Sequence, residues 1–256
     1  MILSDKISPS PIAYFRFYAG LNKNLPRKYR CQSIPFFFSG HPPVRYAIEV
    51  LGVPPAEAAF IVINGNPAGL NQPLKNSDRV AVYPPFRSLD ISAMSKLPTY
   101  PLKKTRFIAD VHLGKLARRL RLLGFNTLYR NDFSDRHIIN MAVKEKRIIL
   151  TRDSGLLKNS KVKFGHLIRS GDPQLQLAGV MEHFDLYSQF RPFTRCIVCN
   201  SRIRRIKKSE ILNRLLPEIQ ENYNQFYLCP HCDKIYWKGT HFSSMQKLVE
   251  EIEKIG

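Results

Sequence analysis

The residues best suited to chemistry are aspartates that follow apolar, strand-like segments in the middle of the chain. Strands predicted at 106–109, 125–129 and 147–150 are followed by Asp110, Asp132 and Asp153. In an open parallel sheet the residues after the strands gather along one edge, where α/β proteins bind their ligands. Clustered carboxylates repel one another unless a cation joins them, and Mg²⁺ or Mn²⁺ prefers carboxylates and water. The pattern predicts a divalent-cation site held by Asp110 and Asp153, with Asp135 and Asp132 completing it.

Four of the five cysteines form two CxxC pairs, and the fifth is Cys31. The pairs are Cys196 with Cys199 and Cys229 with Cys232, separated by residues 200–228. Paired CxxC turns are typical of a structural zinc site whose coordination sphere is filled by four thiolates, whereas a redox thiol pair is the rarer alternative. We therefore expect structural Zn²⁺ without an open position for a substrate. Asn200 and Asp233 follow the pairs and tolerate the left-handed backbone common there.

Charge and composition indicate the class of partner. The chain has 40 Lys and Arg against 20 Asp and Glu, a formal net charge of +20, and 44% of its residues are apolar. A polyanion such as RNA or DNA is the favoured partner, with a membrane surface as the rival. There is no apolar run of about 18 residues and no signal-peptide pattern, so we expect neither a membrane span nor export. Cysteines grouped for a metal fit a cytoplasmic protein.

The element after Asp110 is predicted to be an amphipathic helix. Apolar residues recur there at helical spacing, at Leu113, Leu116, Ala117, Leu120 and Leu123. Lys115, Arg118 and Arg119 fall on the other face. A solvated helix face and a surface for the RNA backbone are equally good interpretations of these three residues.

Helix capping is the structural alternative for each aspartate. Ser134 or Asp132 is a sensible N-cap for the helix that Asp135 opens, and a single strand-end aspartate is more often a cap than a ligand. Asp172 stands directly before Pro173, which suits the first turn of a helix. We therefore interpret Asp172 as an N-cap first and a metal ligand second.

The N-terminal region is predicted to be α+β. Strand-like runs, a helix entered at Pro42-Pro43, a tight turn at Asn64-Gly65 and the late strand of SDRVAVYPP follow in that order. This order resembles the ubiquitin-like β-grasp of small sulfur-carrier proteins over residues 12–86. Such carriers need a free terminal Gly-Gly, whereas this strand runs on into FRSLDISAMSKLP. A sulfur-transfer or conjugation factor is therefore disfavoured, and a module that binds a protein partner remains.

A second resemblance covers the aspartates. The segments FIADVHLGKLARRLRLLGFNTLYRND and SDRHIINMAVKEKRIILTRDSGLLK resemble the Mut-seven C-terminal RNase domain, a PIN-like nuclease family. The resemblance places the family's acids on Asp110, on Asp135 with the later Ala142, and on Asp153 in the sequence Thr151-Arg152-Asp153. It implies that Thr151 donates a hydrogen bond behind the ligands and that Arg152 contacts phosphate. PIN nucleases commonly add another acid, for which Asp132 is the candidate.

The zinc module has its own basic and aromatic residues. Arg202, Arg204, Arg205, Lys207 and Lys208 lie between the CxxC pairs, and Tyr227, Tyr236 and Trp237 lie around the second pair. Such residues suit a nucleic-acid surface, although the aromatics are slightly better explained as the core of a small module. The ending CDKIYWKGTH resembles the zinc ribbon that accompanies the Mut-seven RNase domain.

These patterns predict an α/β protein with a PIN-like parallel sheet, flanking helices and two attached modules. The predicted parts are a ubiquitin-like β-grasp domain at 1–86, a linker at 87–104, an RNase domain at 105–190, and a zinc ribbon with a closing helix at 191–256. The predicted function is hydrolysis of RNA phosphodiester bonds assisted by Mg²⁺ or Mn²⁺. A non-catalytic RNA-binding adaptor is the alternative. PIN-like domains often pair, which makes a homodimer compatible with this reading.

Overall fold

The computed structural model describes residues 10–86, 91, 93–98, 100 and 105–254, without the side chain of His241. Most of the predicted linker at 87–104 lies outside the described residues. The chain divides into two compact units. The first contains the described residues up to Tyr100 together with Asp153–Leu167, and the second contains the described residues of 101–152 and those from Ile168 onward.

The first unit is built on a five-stranded mixed sheet. Its strands are β1 (Ile12–Phe17), β2 (Ile34–Phe37), β3 (Phe60–Ile63), β4 (Asn66–Pro67) and β5 (Arg79–Tyr83). Their order in the sheet is β2-β1-β5-β3-β4, with β1 and β5 parallel and the other neighbours antiparallel. Helix α1 (Val44–Val50) follows Pro43 and buries Val44, Ala47 and Ile48. This is the ubiquitin-like arrangement that the sequence predicts.

The turn between β3 and β4 confirms the interpretation of Asn64-Gly65. Both residues have left-handed backbone, with φ of 50° and 84°. A two-residue hairpin turn with positive φ at both positions matches the right-handed twist of its strands, which favours Asn-Gly. The Asn64 side chain also donates to Asp78 at 2.8 Å and accepts from the backbone N–H of Arg79 at 2.9 Å. The turn is therefore tied to the start of β5.

A distant segment of the chain completes the first unit. It contains helix α4 (Ser154–Lys158) and strand β9 (Gly165–Leu167). The buried Tyr100 hydroxyl donates to the carbonyls of Ala56 and Gly165, and its ring contacts Phe164 with centroids 4.9 Å apart. Residues 153–167 thus pack with the ubiquitin-like region.

A buried carboxylate also joins these parts. Glu57 is 2% exposed and accepts hydrogen bonds from the backbone N–H of Leu167 and the amide of Asn24, each at 2.6 Å. Its Oε1 lies 3.2 Å from Nδ1 of His166. Burying a carboxylate is costly unless it is hydrogen-bonded or paired, and these three partners supply that compensation.

The second unit contains a parallel sheet with flanking helices. Strand β6 (Arg106–Ala109) pairs in parallel with β7 (Asn126–Leu128) on one side and β8 (Ile148–Thr151) on the other. The connecting helices are α2 (Gly114–Leu122) and α3 (Asp135–Glu145), and α5 (Pro173–Phe184) follows later in the chain. Central residues of β6 and β8 are fully buried, as expected of parallel strands covered on both faces.

The C-terminal part of the second unit is a small antiparallel module. Strands β10 (Arg204–Ile206), β11 (Phe226–Leu228) and β12 (Ile235–Trp237) lie in that order, and helices α6 (Pro217–Asn222) and α7 (Thr240–Glu253) accompany them. Phe226 is buried, and Trp237 packs against the same small core, so Trp237 contributes to packing. None of the described helices is both long enough and apolar enough to cross a membrane.

Candidate active site and zinc centre

Asp110 stands where the central strand of the parallel sheet ends. Ala109 pairs with Leu150 in the parallel register, and the backbone N–H of Asp110 donates to the carbonyl of Leu150 at 3.0 Å. This register brings the next residue of each strand, Asp110 and Thr151, side by side. Both are buried, at 4% and 0% exposure.

The Asp110 carboxylate is held by three donors. Its Oδ1 accepts from the backbone N–H of His112 at 2.9 Å, and its Oδ2 accepts from the Thr151 hydroxyl and from the backbone N–H of Arg152 at 2.8 Å. The contact with His112 makes Asp110 the N-cap of the 3-10 turn Val111–Leu113. One carboxylate therefore acts as a cap and is also fixed in orientation by the neighbouring strand.

His112 is a residue that the sequence reasoning missed. Its Nδ1 lies 3.6 Å from Oδ1 of Asp110, and its side chain is 70% exposed. An imidazole at this place can donate to the carboxylate and still face solvent. The signal was its position two residues after a strand-end aspartate, where a side chain returns toward the cap.

Asp132 and Asp135 are placed differently. Arg130 donates to both oxygens of Asp132, at 2.9 and 2.6 Å, and both side chains are largely exposed. This hydrogen bond and the charge of Arg130 lower the pKa of Asp132. The N-cap of α3 is Ser134, which accepts from the backbone N–H of His137, and the exposed Asp135 is the first residue of the helix. Asp132 is therefore not the N-cap of α3.

The other strand-end acids are N-caps. Asp153 accepts from the backbone N–H of Gly155 at 2.7 Å and caps α4. Asp172 accepts from that of Gln174 at 2.6 Å and caps α5, which has Pro173 in its first turn. A cap contact uses only one oxygen of a carboxylate, so it leaves lone pairs for a further partner.

The predicted basic residues lie on and near helix α2. Lys115 and Arg118 are exposed, and Arg119 is partly buried. Arg152 has an exposed side chain, while its backbone N–H is the one that Asp110 accepts. These side chains supply positive charge in the unit that holds Asp110.

Within the described part of the chain, only one group of three or more candidate ligands has all its ligand atoms within 4.8 Å of one another. That group is Cys196, Cys199, Cys229 and Cys232. The carboxylates of Asp110, Asp132 and Asp135 do not form such a group. Any shared cation at these acids would require side-chain adjustment or bridging water.

The four cysteines lie close enough together to hold a metal ion, in agreement with the sequence prediction. The Sγ atoms of Cys196 and Cys232 are 3.5 Å apart, and those of Cys199 and Cys229 are 3.3 Å apart. Asn200 and Asp233, each directly after a pair, have φ of 73° and 59°. Four thiolates with this CxxC spacing suit a tetrahedral Zn²⁺ and would leave it no open position for a substrate.

Two residues outside the cysteines fix the first CxxC turn to the parallel sheet. Arg121 on α2 is 3% exposed and donates from Nη1 to the carbonyls of Ile197 at 3.2 Å and Val198 at 2.7 Å. The Asn200 side chain accepts from the backbone N–H of Thr127 at 3.0 Å. Burial lowers the pKa of Arg121, while the thiols of Cys196 and Cys199 act in the opposite direction.

Family comparisons agree with this organisation. The model of the Mut7-C RNAse domain matches residues 105–249, and the model named Mut7-C ubiquitin matches residues 10–90. The first match covers more than half of the 256-residue chain. No curated protein and no solved structure matches the chain.

Proposed function

Because the chain belongs to the Mut7-C RNAse domain family, we propose that it is a ribonuclease that hydrolyses RNA phosphodiester bonds with the help of Mg²⁺ or Mn²⁺. The observation that carries the proposal is the buried Asp110 carboxylate, fixed by Thr151, His112 and the backbone of Arg152 at the end of the central strand. An acid held this firmly at the ligand-binding edge of a parallel sheet suits a preorganised site.

The donor atoms fit a hard divalent cation. Oδ2 of Asp110 accepts two hydrogen bonds, whereas Oδ1 accepts one, so Oδ1 keeps a lone pair for a ligand. Asp110, Asp135 and Asp153 are the proposed ligands. Asp132 is the weakest member, because Arg130 occupies both of its oxygens. A bound divalent cation would supply Lewis acidity toward the scissile phosphate.

The remaining residues would bind and orient the RNA. The exposed guanidinium of Arg152 can contact a phosphate beside Asp110, and Lys115, Arg118 and Arg119 can neutralise neighbouring phosphates. Thr151 is a positioning residue, since its hydroxyl donates to the Asp110 carboxylate.

The test is cleavage of single-stranded and structured RNA by the full chain with Mn²⁺, Mg²⁺ or EDTA. We expect metal-dependent cleavage that Asp110→Asn lowers at least about 100-fold, since removing one electrostatic catalytic group typically costs this much. The matched control is Asp172→Asn, the same carboxylate-to-amide change at a helix cap, which should cleave at the rate of the original chain. Full activity of Asp110→Asn, or cleavage that persists in EDTA, would refute the proposal.

A second pair of variants tests the role of Thr151. Thr151→Val keeps the shape but removes the hydroxyl donor, and we expect a slower single-turnover rate because the Asp110 carboxylate is then less firmly oriented. Thr151→Ser keeps the donor and should retain most of the rate. Equal rates for the two variants would exclude the positioning role.

A further inference from the structure

A cavity in the second unit is lined by arginines. Its volume is about 460 Å³, and its lining includes Arg106, Arg191, Arg195 and Arg202. The remaining described lining residues are neutral, among them Gly124 and Asn126. Four positive charges therefore face a single space, and none of its described lining residues is an acid.

Two of these arginines are held in place by the backbone. Arg195 donates to the carbonyls of Gly124 at 2.9 Å and Asn200 at 2.8 Å, and Arg191 donates to those of Ser188 and Phe190 at 3.2 and 2.8 Å. Carbonyl oxygens orient a guanidinium but carry no formal charge. Both charges thus remain available to a ligand.

The other two arginines are exposed and make no side-chain hydrogen bond or ion pair within the described part of the chain. They are Arg106, at the start of β6, and Arg202. Burial lowers the pKa of Arg195, and the positive charges of Arg202, Arg147 and Arg106 lower it further. Repulsion among like charges is relieved when an anion binds between them.

The wall of the cavity is hydrogen-bonded to the end of α2. The backbone N–H groups of Arg191 and Phe193 donate to the carbonyls of Leu123 and Leu122, at 2.8 and 2.9 Å. At Gly124, φ is +91°, and a Cβ atom would meet the carbonyl oxygen of Arg191 at 2.2 Å. The segment that contains Arg191 therefore packs against the end of α2, and the cavity is part of the folded unit.

We propose that this arginine-lined cavity binds phosphate groups of the RNA strand, at the opposite end of β6 from Asp110. Guanidinium forks match phosphate oxygens in geometry and charge, and a chain with a net charge of +20 favours a polyanion over an acidic peptide. The identity of the polyanion as RNA rests on the proposed function. Asp110 lies four residues after Arg106 along the chain, a distance of roughly 13 Å in an extended strand.

A site that far from the reacting phosphate binds substrate without taking part in the chemistry. Removing it should raise KM and leave kcat nearly unchanged, because the contact is the same in the ground state and the transition state. The phosphate could belong to internal phosphodiesters or to the 5′ end of the strand. The two sources share their chemistry and can be separated experimentally.

The experiment measures binding of the zinc-loaded full chain to a single-stranded 20-nucleotide RNA labelled with fluorescein at its 3′ end. All variants are made in an Asp110→Asn background, so that cleavage does not interfere. The test variant is Arg106→Gln with Arg202→Gln. The charge-matched control is Lys144→Gln with Lys247→Gln, two exposed lysines outside the cavity lining. Zinc content and circular dichroism confirm folding, and the two single arginine variants replace the double variant if it misfolds.

We expect the arginine variant to bind about tenfold more weakly than the control. The slope of log K against log salt should fall by about 1.4 if two single-strand phosphate contacts are lost. A 5′-phosphate that strengthens binding by the unmutated cavity, but not by the arginine variant, assigns the terminal phosphate. Equal binding of 5′-phosphate and 5′-hydroxyl RNA assigns internal phosphodiesters.

An affinity and a salt slope equal to those of the control overturn the proposal. The proposal is also overturned if the arginine variant loses affinity for an acidic peptide while its affinity for RNA is unchanged. Failure of the proposed function has a different signature. In that case the unmutated chain does not cleave RNA, while the cavity variants still differ from the control in binding.

Discussion

The Asp110 carboxylate uses its two oxygens for different purposes. Oδ2 is saturated by the Thr151 hydroxyl and the backbone N–H of Arg152, whereas Oδ1 accepts, among the described residues, one hydrogen bond, from the backbone N–H of His112. The saturated oxygen fixes the plane of the carboxylate, and the other faces the exposed His112 ring. A ligand would therefore approach through Oδ1.

Glu57 gives a prediction about pH. Burial raises its pKa, but the hydrogen bond and charge of His166, the N–H of Leu167 and the amide of Asn24 together lower it from 4.5 to about 2. A carboxylate whose pKa is depressed on folding stabilises the fold above its unfolded pKa. This contribution, about 3 kcal/mol, should be present above pH 4.5 and lost as the pH falls toward 2.

The measurement compares the free energy of urea unfolding for the unchanged chain and Glu57→Gln between pH 7 and pH 3. The difference between the two should shrink as the pH falls below 4.5. Glu221→Gln, a change at an exposed glutamate, should show no such trend. A constant difference at every pH would mean that the charge of Glu57 is not what stabilises the fold.

At the residue scale, the sequence indicated some of the side-chain contacts seen in the structure and missed others. The family resemblance implied a hydrogen bond from Thr151 behind the ligands, whereas the register that places Thr151 beside Asp110 is seen only in the structure. The hydrogen bonds from Arg121 to the first CxxC turn could not be predicted in this way, because a charged side chain is not expected in the apolar stripe of α2. The position of Arg121 four residues after Ala117 was the available signal, since residues so spaced share a helix face.

The end of α2 lies against the backbone of a segment that is distant in sequence. Gly124 has φ of +91° and lies against the carbonyl of Arg191, so a Cβ would be both strained and in contact with backbone. We expect Gly124→Ala to lower the free energy of unfolding by about 2 kcal/mol or more. Thermal and urea unfolding measure the change.

Gly179 provides the matched control. It lies inside α5, and a Cβ there would meet nothing within 4 Å. Gly179→Ala should stabilise the chain by up to about 1 kcal/mol, since alanine is the better helix former. Two glycine-to-alanine changes should therefore act in opposite directions. A neutral result at Gly124 would show that the segment at Arg191 can move aside.

The capping residues show what sequence patterns decide at the element scale. Pro173 after Asp172 indicates a cap, and Asp172 does cap α5. The choice between Ser134 and Asp132 was open in the sequence, and Ser134 is the cap. Local preference alone could not decide it, because both residue types are good N-caps and the competing partner of Asp132 is the side chain of Arg130.

At the scale of the whole molecule, the zinc centre joins segments that are distant in sequence. We expect one equivalent of zinc per chain by metal analysis and loss of that zinc in Cys229→Ser, because each thiolate fills one of four positions. Loss of zinc should also lower the melting temperature of the second unit. Arg121 donates to the first CxxC turn, and Asn200, directly after that turn, accepts from Thr127 of the parallel sheet.

The fifth cysteine is the control. Cys31 is exposed and lies outside the four-cysteine group. Cys31→Ser should therefore keep the full zinc content and melting temperature. Zinc retained in Cys229→Ser would show that the four cysteines are not the ligands.

The large-scale division of the chain could be predicted only in part. The β-grasp order, the parallel strands and the paired CxxC turns are each local patterns, and the structure contains the ubiquitin-like fold, the parallel sheet and the four-cysteine group. The association of residues 153–167 with the ubiquitin-like region was not foreseen. It depends on contacts of Glu57 and Tyr100 with residues far along the chain, and apolar periodicity does not report such contacts.

The packing of residues 153–167 with the ubiquitin-like region limits which parts of such a protein can be exchanged by recombination. The two family matches meet between residues 90 and 105, which looks like a natural point for recombination. However, exchanging only the N-terminal part would leave Leu167 and His166 facing a residue other than Glu57, and Phe164 without Tyr100. We expect the two modules to have descended as a pair, with changes at Glu57 matched by changes at His166.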